Sequence, residues 1–414
     1  MLKSILKGSA ATLIVSGIMA GAASAEEIRI YFNAGHGYDT YLEVFEEFEA
    51  DNPGWTVAFE RYQWPDLRTK LVADFAAGNP PDLVAEPGAW VPEFAQQGLL
   101  YNLDDLAARD RAEFDYPGDW QDASVEKNTV DGSLYGVQIH LTCATLLYNV
   151  DMLKEAGYDN PPTNWAEFRE IAKATTKNGV FGFAPNAVWA YSMPWVMQNG
   201  GRYYDPETGK IAFGSEAAAE GVQFLSDLIH EDRSAPVPVT GADYEGPQRL
   251  FTAGRAAMII TGPWDINPIR TGNPDLNWAV APSLKEVEQA TIQGGVSLMI
   301  PKDAQYPEQA WDLIKRLTAV DVEVATSLQY SMTMPRKSWL KDPEVQADPI
   351  LGQFGACLPY SRDVTLELRQ AGKYNPAIDE VLNGAIDEVL FANEPAAEVL
   401  AAAEDEANAI LANE

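Results

Sequence analysis

The stretch FTAGRAAMIITGPW, Phe251 to Trp264, decides the fold. Its opening residues suit a short helix that Gly254 interrupts, whereas Ala257 to Thr261 is a compact apolar run of strand length. Gly262 and Pro263 break a sheet ladder, so the chain leaves the strand there and presents Trp264 at its end. Open α/β sheets hold ligands just past the carboxyl ends of their strands, which is where this indole is delivered. A core plug is the other role open to Trp264.

The N-terminal part of the chain alternates strand and helix in the same way. Ile28 to Phe32 is a β-rich run ending in Asn33, Ala34, Gly35, His36, Gly37, and the helix after it sets Tyr41, Val44, Phe45 and Phe48 on one face. Asn52, Pro53 and Gly54 stop that helix; a strand at Thr56 to Arg61, a helix carrying Leu67, Leu71 and Phe75, and a strand at Asp82 to Ala85 follow. This order predicts an α/β fold with a parallel sheet covered on both faces. The loops Asn33 to Tyr38, Gln63 to Trp64 and Glu86 to Trp90 then share one sheet edge. His36, between two glycines, has no neighbours to build a core around and is expected in a cleft, with a solvated loop as the alternative. Glu86 directly follows an apolar strand, so it can accept a ligand hydroxyl or serve as a capping or surface acid.

With 414 residues the chain is long enough for two domains, each with its own core. A net charge of −32, unrelieved by any basic run, makes nucleic acid and anionic membrane surfaces poor partners. Lys3 and Lys7, the apolar span Ala11 to Ala20 and the small residues Ala23, Ser24, Ala25 have the form of an export leader cleaved after Ala25. No cysteine lies near that point to accept a lipid. The two cysteines, Cys143 and Cys357, would meet an oxidising compartment, and their spacing leaves both a disulfide and two buried thiols open.

Several chemistries lack a motif. His36, His140 and His230 fall in no zinc-binding pattern, and neither GxSxG nor GxGxxG occurs. Asp205 to Lys210, DPETGK, lacks the first glycine of a phosphate loop and is expected to be a hairpin tip. A glycosidase needs only two carboxyl groups at the right distance, which spacing in sequence does not report.

Further segments occur in an ordered series: GNPPDLV (Gly78 to Val84), GSLYGVQ (Gly132 to Gln138), LLYNVDML (Leu146 to Leu153), PPTNWAEF (Pro161 to Phe168), NGG (Asn199 to Gly201) and GGV (Gly294 to Val296). With FTAGRAAMIITGPW they resemble the extracellular solute-binding proteins that serve carbohydrate importers of the ABC type. The resemblance spans nearly the whole chain beyond the leader. It implies an α/β, two-lobe periplasmic binding protein of type II, with a mostly parallel sheet in each lobe and three hinge crossings. The expected division is a leader at 1–25, a first lobe from 26–138 and 294–333, and a second from 139–293 and 334–414. The crossings are expected after Leu141, near Gly294 to Leu298, and near Met334 to Arg336. Gln138, where the family usually has proline, and His140 and Cys143 depart from the pattern and leave the contacts there open. Leu382 to Leu411, alanine-rich and acidic, is expected to cover the second lobe.

The implied function is capture of a sugar, polyol or sugar derivative by lobe closure and its delivery to transmembrane permease subunits from the periplasm. A monomer is expected, with no cofactor, metal or nucleic acid. Sugars present flat C–H faces and many hydroxyls, so aromatic platforms and polar groups are sought together. Trp264, Trp189 and Tyr191 are the candidate platforms, the latter two because their segment lines the sugar site in the resembled family. His36, Glu86, Thr142 and Arg336 are the candidate polar contacts, and Gly294 and Gly295 offer close backbone approach. Trp165 is expected in the core. Two other readings stand beside this one: an exported glycoside hydrolase, and a receptor for an anionic sugar derivative marked by His36, His140 and Arg336.

Overall fold

The structure is a computed structural model that describes residues 25–238 and 245–413. The export leader expected at residues 1–25 falls almost wholly outside them. The strands are β1 (Glu26–Asn33), β2 (Trp55–Tyr62), β3 (Leu83–Pro87), the short pair β4 (Thr129–Val130) and β5 (Ser133–Leu134), β6 (Val137–Cys143), β7 (Thr145–Asn149), β8 (Phe181–Phe183), the pair β9 (Tyr204–Asp205) and β10 (Lys210–Ile211), β11 (Ala256–Thr261), β12 (Trp278–Ala281), β13 (Thr291–Met299) and β14 (Ser361–Arg362). The first sheet has the order β2-β1-β3-β13-β6, with β14 on the start of β13; the second has the order β12-β7-β11-β8.

Each sheet has its own apolar core. Ile28, Ile30, Phe32, Leu83, Ala85, Leu298 and Trp311 belong to the first, and Leu146, Phe168, Trp195, Ala257, Met258 and Leu390 to the second. The helix α1 (Asp39–Asp51) buries Tyr41, Val44, Phe45 and Phe48 as its periodicity requires. The helix α2 (Trp64–Ala77) starts with Pro65 in its first turn and is closed by Gly78 in a left-handed conformation, φ 67°. Phe251 to Trp264 forms the end of helix Gly246–Thr252, then β11, buried along its whole length, then a single 3₁₀ turn at Pro263–Asp265. Helices Pro376–Ala392 and Ala396–Ala412 pack Ile378, Leu382, Leu390 and Leu400 into the second core.

Strand direction positions the cleft. β1, β2 and β3 are parallel, and β13 runs against β3 on one side and β6 on the other, so β6 points with β1 to β3. In the second sheet β7 runs against both β11 and β12, and β8 lies parallel to β11. The reversed strand in each sheet is the one arriving from the other lobe: β6 passes through Ala144 into β7, and β13 packs Ile292 on the second core but Val296 on the first. The forward strands of both sheets therefore end at the crossings, and their carboxyl edges face one another.

The third passage differs from expectation. Met334, Trp339, Val345 and Leu351 belong to the first core, and it is Ile350 and Phe354 that reach a second-lobe cluster with Leu147 and Ile259. The chain thus leaves the first lobe within a third helix, Pro349–Cys357, and not at Met334 to Arg336. Burial of large apolar side chains from Met334 to Leu351 holds this segment to the first lobe. Cys143 and Cys357 form a disulfide with Cα atoms 6.3 Å apart, joining the end of β6 to the end of that helix. Closing a loop across 214 residues is worth about 5 kcal/mol in the chain-entropy picture. The bond also ties two of the three passages together.

Candidate ligand cleft between the lobes

Glu86 lies near the end of β3 and is 0% exposed, and neither of its carboxylate oxygens has a hydrogen-bond partner. Burial pushes it up to about 9, and only the charge of Arg68 pulls the other way. In the ladder Glu86 sits opposite Ser297 of β13, which in turn sits opposite Gln138 of β6. A register shift between Val296 and Ser297 allows that alignment, leaving Ile139 as the extra residue of a bulge. The result is a polar row across three strands. Ser297 Oγ and both amide atoms of Gln138 are also buried without partners. Native interiors rarely leave such atoms unmet, which makes this row at a sheet's carboxyl edge the candidate ligand site.

Two histidines form a second cluster, on the α1 side of the same sheet. The His36 and His140 rings are 4.9 Å apart, and each has a buried Nδ1 with no partner. His140 Nε2 meets the Tyr41 hydroxyl at 2.7 Å. Loss of hydration holds His36 down to about 4 and His140 well below the ordinary imidazole value, so both are neutral near pH 7. Around them stand Trp64, 5.6 Å from His36, and Tyr38, which stacks on Tyr330 at 4.3 Å. Trp90 carries the Arg68 guanidinium over its ring at 4.4 Å. Neutral imidazoles, an amide, a hydroxyl and a carboxyl group can each donate to or accept from sugar hydroxyls.

The expected residues divide. His36 meets His140 on the α1 side of the first sheet, while Glu86 lies in the polar row with Ser297. Thr142 is buried opposite Gly294, and a Cβ on Gly294 would lie 2.8 Å from Thr142 Oγ1. Gly295 has φ 135°, and a Cβ there would collide with the His140 carbonyl oxygen, so β13 needs glycine to approach β6 at the bulge. Trp264 follows β11 and is 38% exposed, with its ring folded back over Gly262.

Three expectations are corrected. Arg336 is buried in the first lobe among helices: its Nε donates to the Thr318 carbonyl at 2.6 Å, its Nη1 lies 3.2 Å from Asp119 Oδ2, and its guanidinium covers Trp120 at 3.8 Å. Its donors are spent on the fold. Trp189 packs against Tyr203 with ring centroids 5.1 Å apart and belongs to the second core, so it offers no open face. Tyr191 is 7% exposed and borders a small gap with Phe183, Trp195 and Ile260, again inside that lobe. Ser297, Trp64, Trp90 and Arg68 were not singled out from the sequence. Gln138 and His140 carried one signal, their departure from the family pattern.

Among the described residues no group of three or more His, Cys, Asp or Glu could hold a metal ion, and no helix is long and apolar enough to cross a membrane. A family profile described as bacterial extracellular solute-binding protein matches residues 34–324. A putative binding protein of Brucella abortus (strain 2308) is 28% identical over 357 residues, covering 83% of this chain and 84% of that one. The maltotriose-binding protein of Pyrococcus abyssi (strain GE5 / Orsay) is 27% identical over 366 residues, covering 84% and 75%. Among solved structures, the GacH receptor of Streptomyces glaucescens, determined unliganded and with acarbose, matches with a TM-score of 0.83 at 22% identity, over 94% of this chain and 99% of that one. That likeness shows the two-lobe fold. With a profile matching well over half its length and the carboxyl edges of its two sheets facing each other, the chain belongs to the bacterial extracellular solute-binding protein family.

Proposed function

We propose that this chain is the periplasmic receptor of a carbohydrate ABC importer, which captures a neutral, hydroxyl-rich sugar between its lobes and delivers it to permease subunits. The observation that carries this reading is the polar row Glu86, Ser297 and Gln138, buried at the inter-lobe edge with its polar atoms unmet. Relatives described as maltotriose-, arabinooligosaccharide- and lactose-binding proteins support the ligand class. A neutral ligand fits better than an anionic one, because the charge of Arg336 is met by Asp119, that of the buried Lys127 by Asp363 and that of Arg68 by Glu93. The protein works as an exported monomer, with no cofactor and no nucleic-acid partner, and binds without turnover. Closure around the sugar is its output, and ATP is hydrolysed elsewhere.

Thermal unfolding against a panel of neutral mono- and oligosaccharides and polyols tests this. Ligand at about a hundred times its Kd stabilises by about 2.7 kcal/mol, so one class of sugar should raise Tm by several degrees. No shift with any neutral sugar, or release of cleaved product from a glycoside, would overturn the proposal.

A further inference from the structure

The geometry points to the segment Ser361 to Gly372 as a second-lobe strap whose Asp363 and Arg369 hold the cleft shut and position the first-lobe wall around the ligand. This inference rests on the reading of the cleft as a ligand site. Leu368 anchors the strap in the second core with Ile378 and Leu382, and Ser361 pairs with Thr291 at the second-lobe end of β13. From there the strap reaches the first lobe twice. Asp363 Oδ2 lies 2.8 Å from Lys127 Nζ, with side chains only 9% and 1% exposed. Arg369 Nη1 lies 2.6 Å from Glu93 Oε2 on the helix α3 (Trp90–Gln96), and Gln96 Nε2 donates to the Gln370 carbonyl at 2.8 Å.

Both contacts lead back to the polar row. The Lys127 side chain packs against Gly88, where a Cβ would lie 2.6 Å from Lys127 Cδ and 2.8 Å from Ser297 Oγ. The other oxygen of Glu93 accepts from Arg68 Nη2, and Arg68 is the cation whose charge reaches Glu86. Arg68 Nη1 remains buried without a partner, a donor beside the row. The strap thus neutralises one flanking cation directly and, through Glu93, orients the other.

The contact is of a kind that can separate. It is made of ion pairs and an amide, and a cavity of about 400 Å³ lined by Glu93, Gln96, Arg369, Gly372 and Tyr374 stands beside them. Removing one partner leaves its mate uncompensated in the closed form, whereas on opening that mate regains water. Lys127 with no Asp363 therefore opposes closure.

The test uses Asp363→Asn, and Lys127→Met with Asp363→Leu as an apolar replacement of the whole pair, in the mature chain. Small-angle scattering at one sugar concentration that compacts wild type should show Asp363→Asn more extended than wild type, and its sugar affinity should fall at least ten-fold. The double replacement should restore both. A wild-type scattering profile and affinity for Asp363→Asn would overturn the strap, as would losses that the double replacement leaves unrepaired. A wild type that neither binds nor compacts with any sugar would count against the proposed function, whereas a wild type that compacts beside an Asp363→Asn that compacts equally would count against the strap alone.

Discussion

The first lobe contains two corners where a buried acid stands near an arginine, and they do opposite things. Glu323, on helix Val320–Tyr330, is 1% exposed and has its Oε1 4.0 Å from Arg336 Nε; Arg336 is further held by Thr318, Asp119 and the face of Trp120. Glu86 is equally buried, and both corners keep unmet polar atoms: both oxygens of Glu323 with Trp120 Nε1 at one, and both oxygens of Glu86 with Ser297 Oγ and the Gln138 amide at the other. Burial raises the pKa of both acids. What separates them is place. The Arg336 corner is enclosed by helices and its cation is fully engaged by the fold, whereas the Glu86 corner lies on the carboxyl edge of a sheet that faces the other lobe. Unmet atoms occur at both corners, so a buried acid with unpartnered neighbours becomes evidence for binding only where it lies on the carboxyl edge that faces the other lobe.

Arg336→Ala gives the largest expected effect. Breaking a buried ionic cluster from one side costs about 3–5 kcal/mol, so urea or thermal melts should show that loss while the folded fraction keeps its sugar affinity. A selective loss of affinity at unchanged stability would put Arg336 back in the site and dissolve the contrast.

Glu86→Gln should act the other way on stability. The folded state raises the carboxyl pKa to about 9, so it retains the proton that the unfolded chain releases near the ordinary carboxylate value. Stability is then undiminished below about pH 4.5 and falls as pH rises towards 9. The glutamine removes that slope and should be more stable than wild type at pH 7, by up to the order of 3 kcal/mol, in melts at pH 5, 7 and 9. The same variant should bind sugar roughly 10- to 100-fold more weakly by calorimetry, as expected for loss of one strong hydrogen-bonding group. An unchanged pH slope would mean that Glu86 is solvated, and the comparison would fail.

Trp264→Ala is the smallest change. A partly exposed ring that stacks on a sugar contributes about 1 kcal/mol, so affinity should drop by roughly three- to ten-fold while stability stays within about 0.5 kcal/mol. No change in affinity would confine the site to the first-lobe wall.

The strand and helix alternation from Ile28 to Ala85, and the strand that ends in Gly262, Pro263 and Trp264, were legible because periodicity and chain breaks are local properties. The turn after β1 that carries His36 was legible for the same reason, whereas Glu86, expected on a loop, still lies within β3. The row Glu86, Ser297, Gln138 was not, since it joins three strands far apart in sequence through a register shifted by a bulge. Trp189 and Tyr191 misled because an aromatic-rich run reads alike whether its rings face a cleft or fill a core.

Local order, then, was written in the chain itself: which segments are strands, where they stop, and that their loops gather on one side. Burial and register belong to the tertiary structure. It packed Met334 to Leu351 on the first lobe, committed Arg336 to Asp119, and left Glu86 without a partner. A side chain's charge state and availability depend on what surrounds it within a few ångströms, and those neighbours come from distant parts of the sequence.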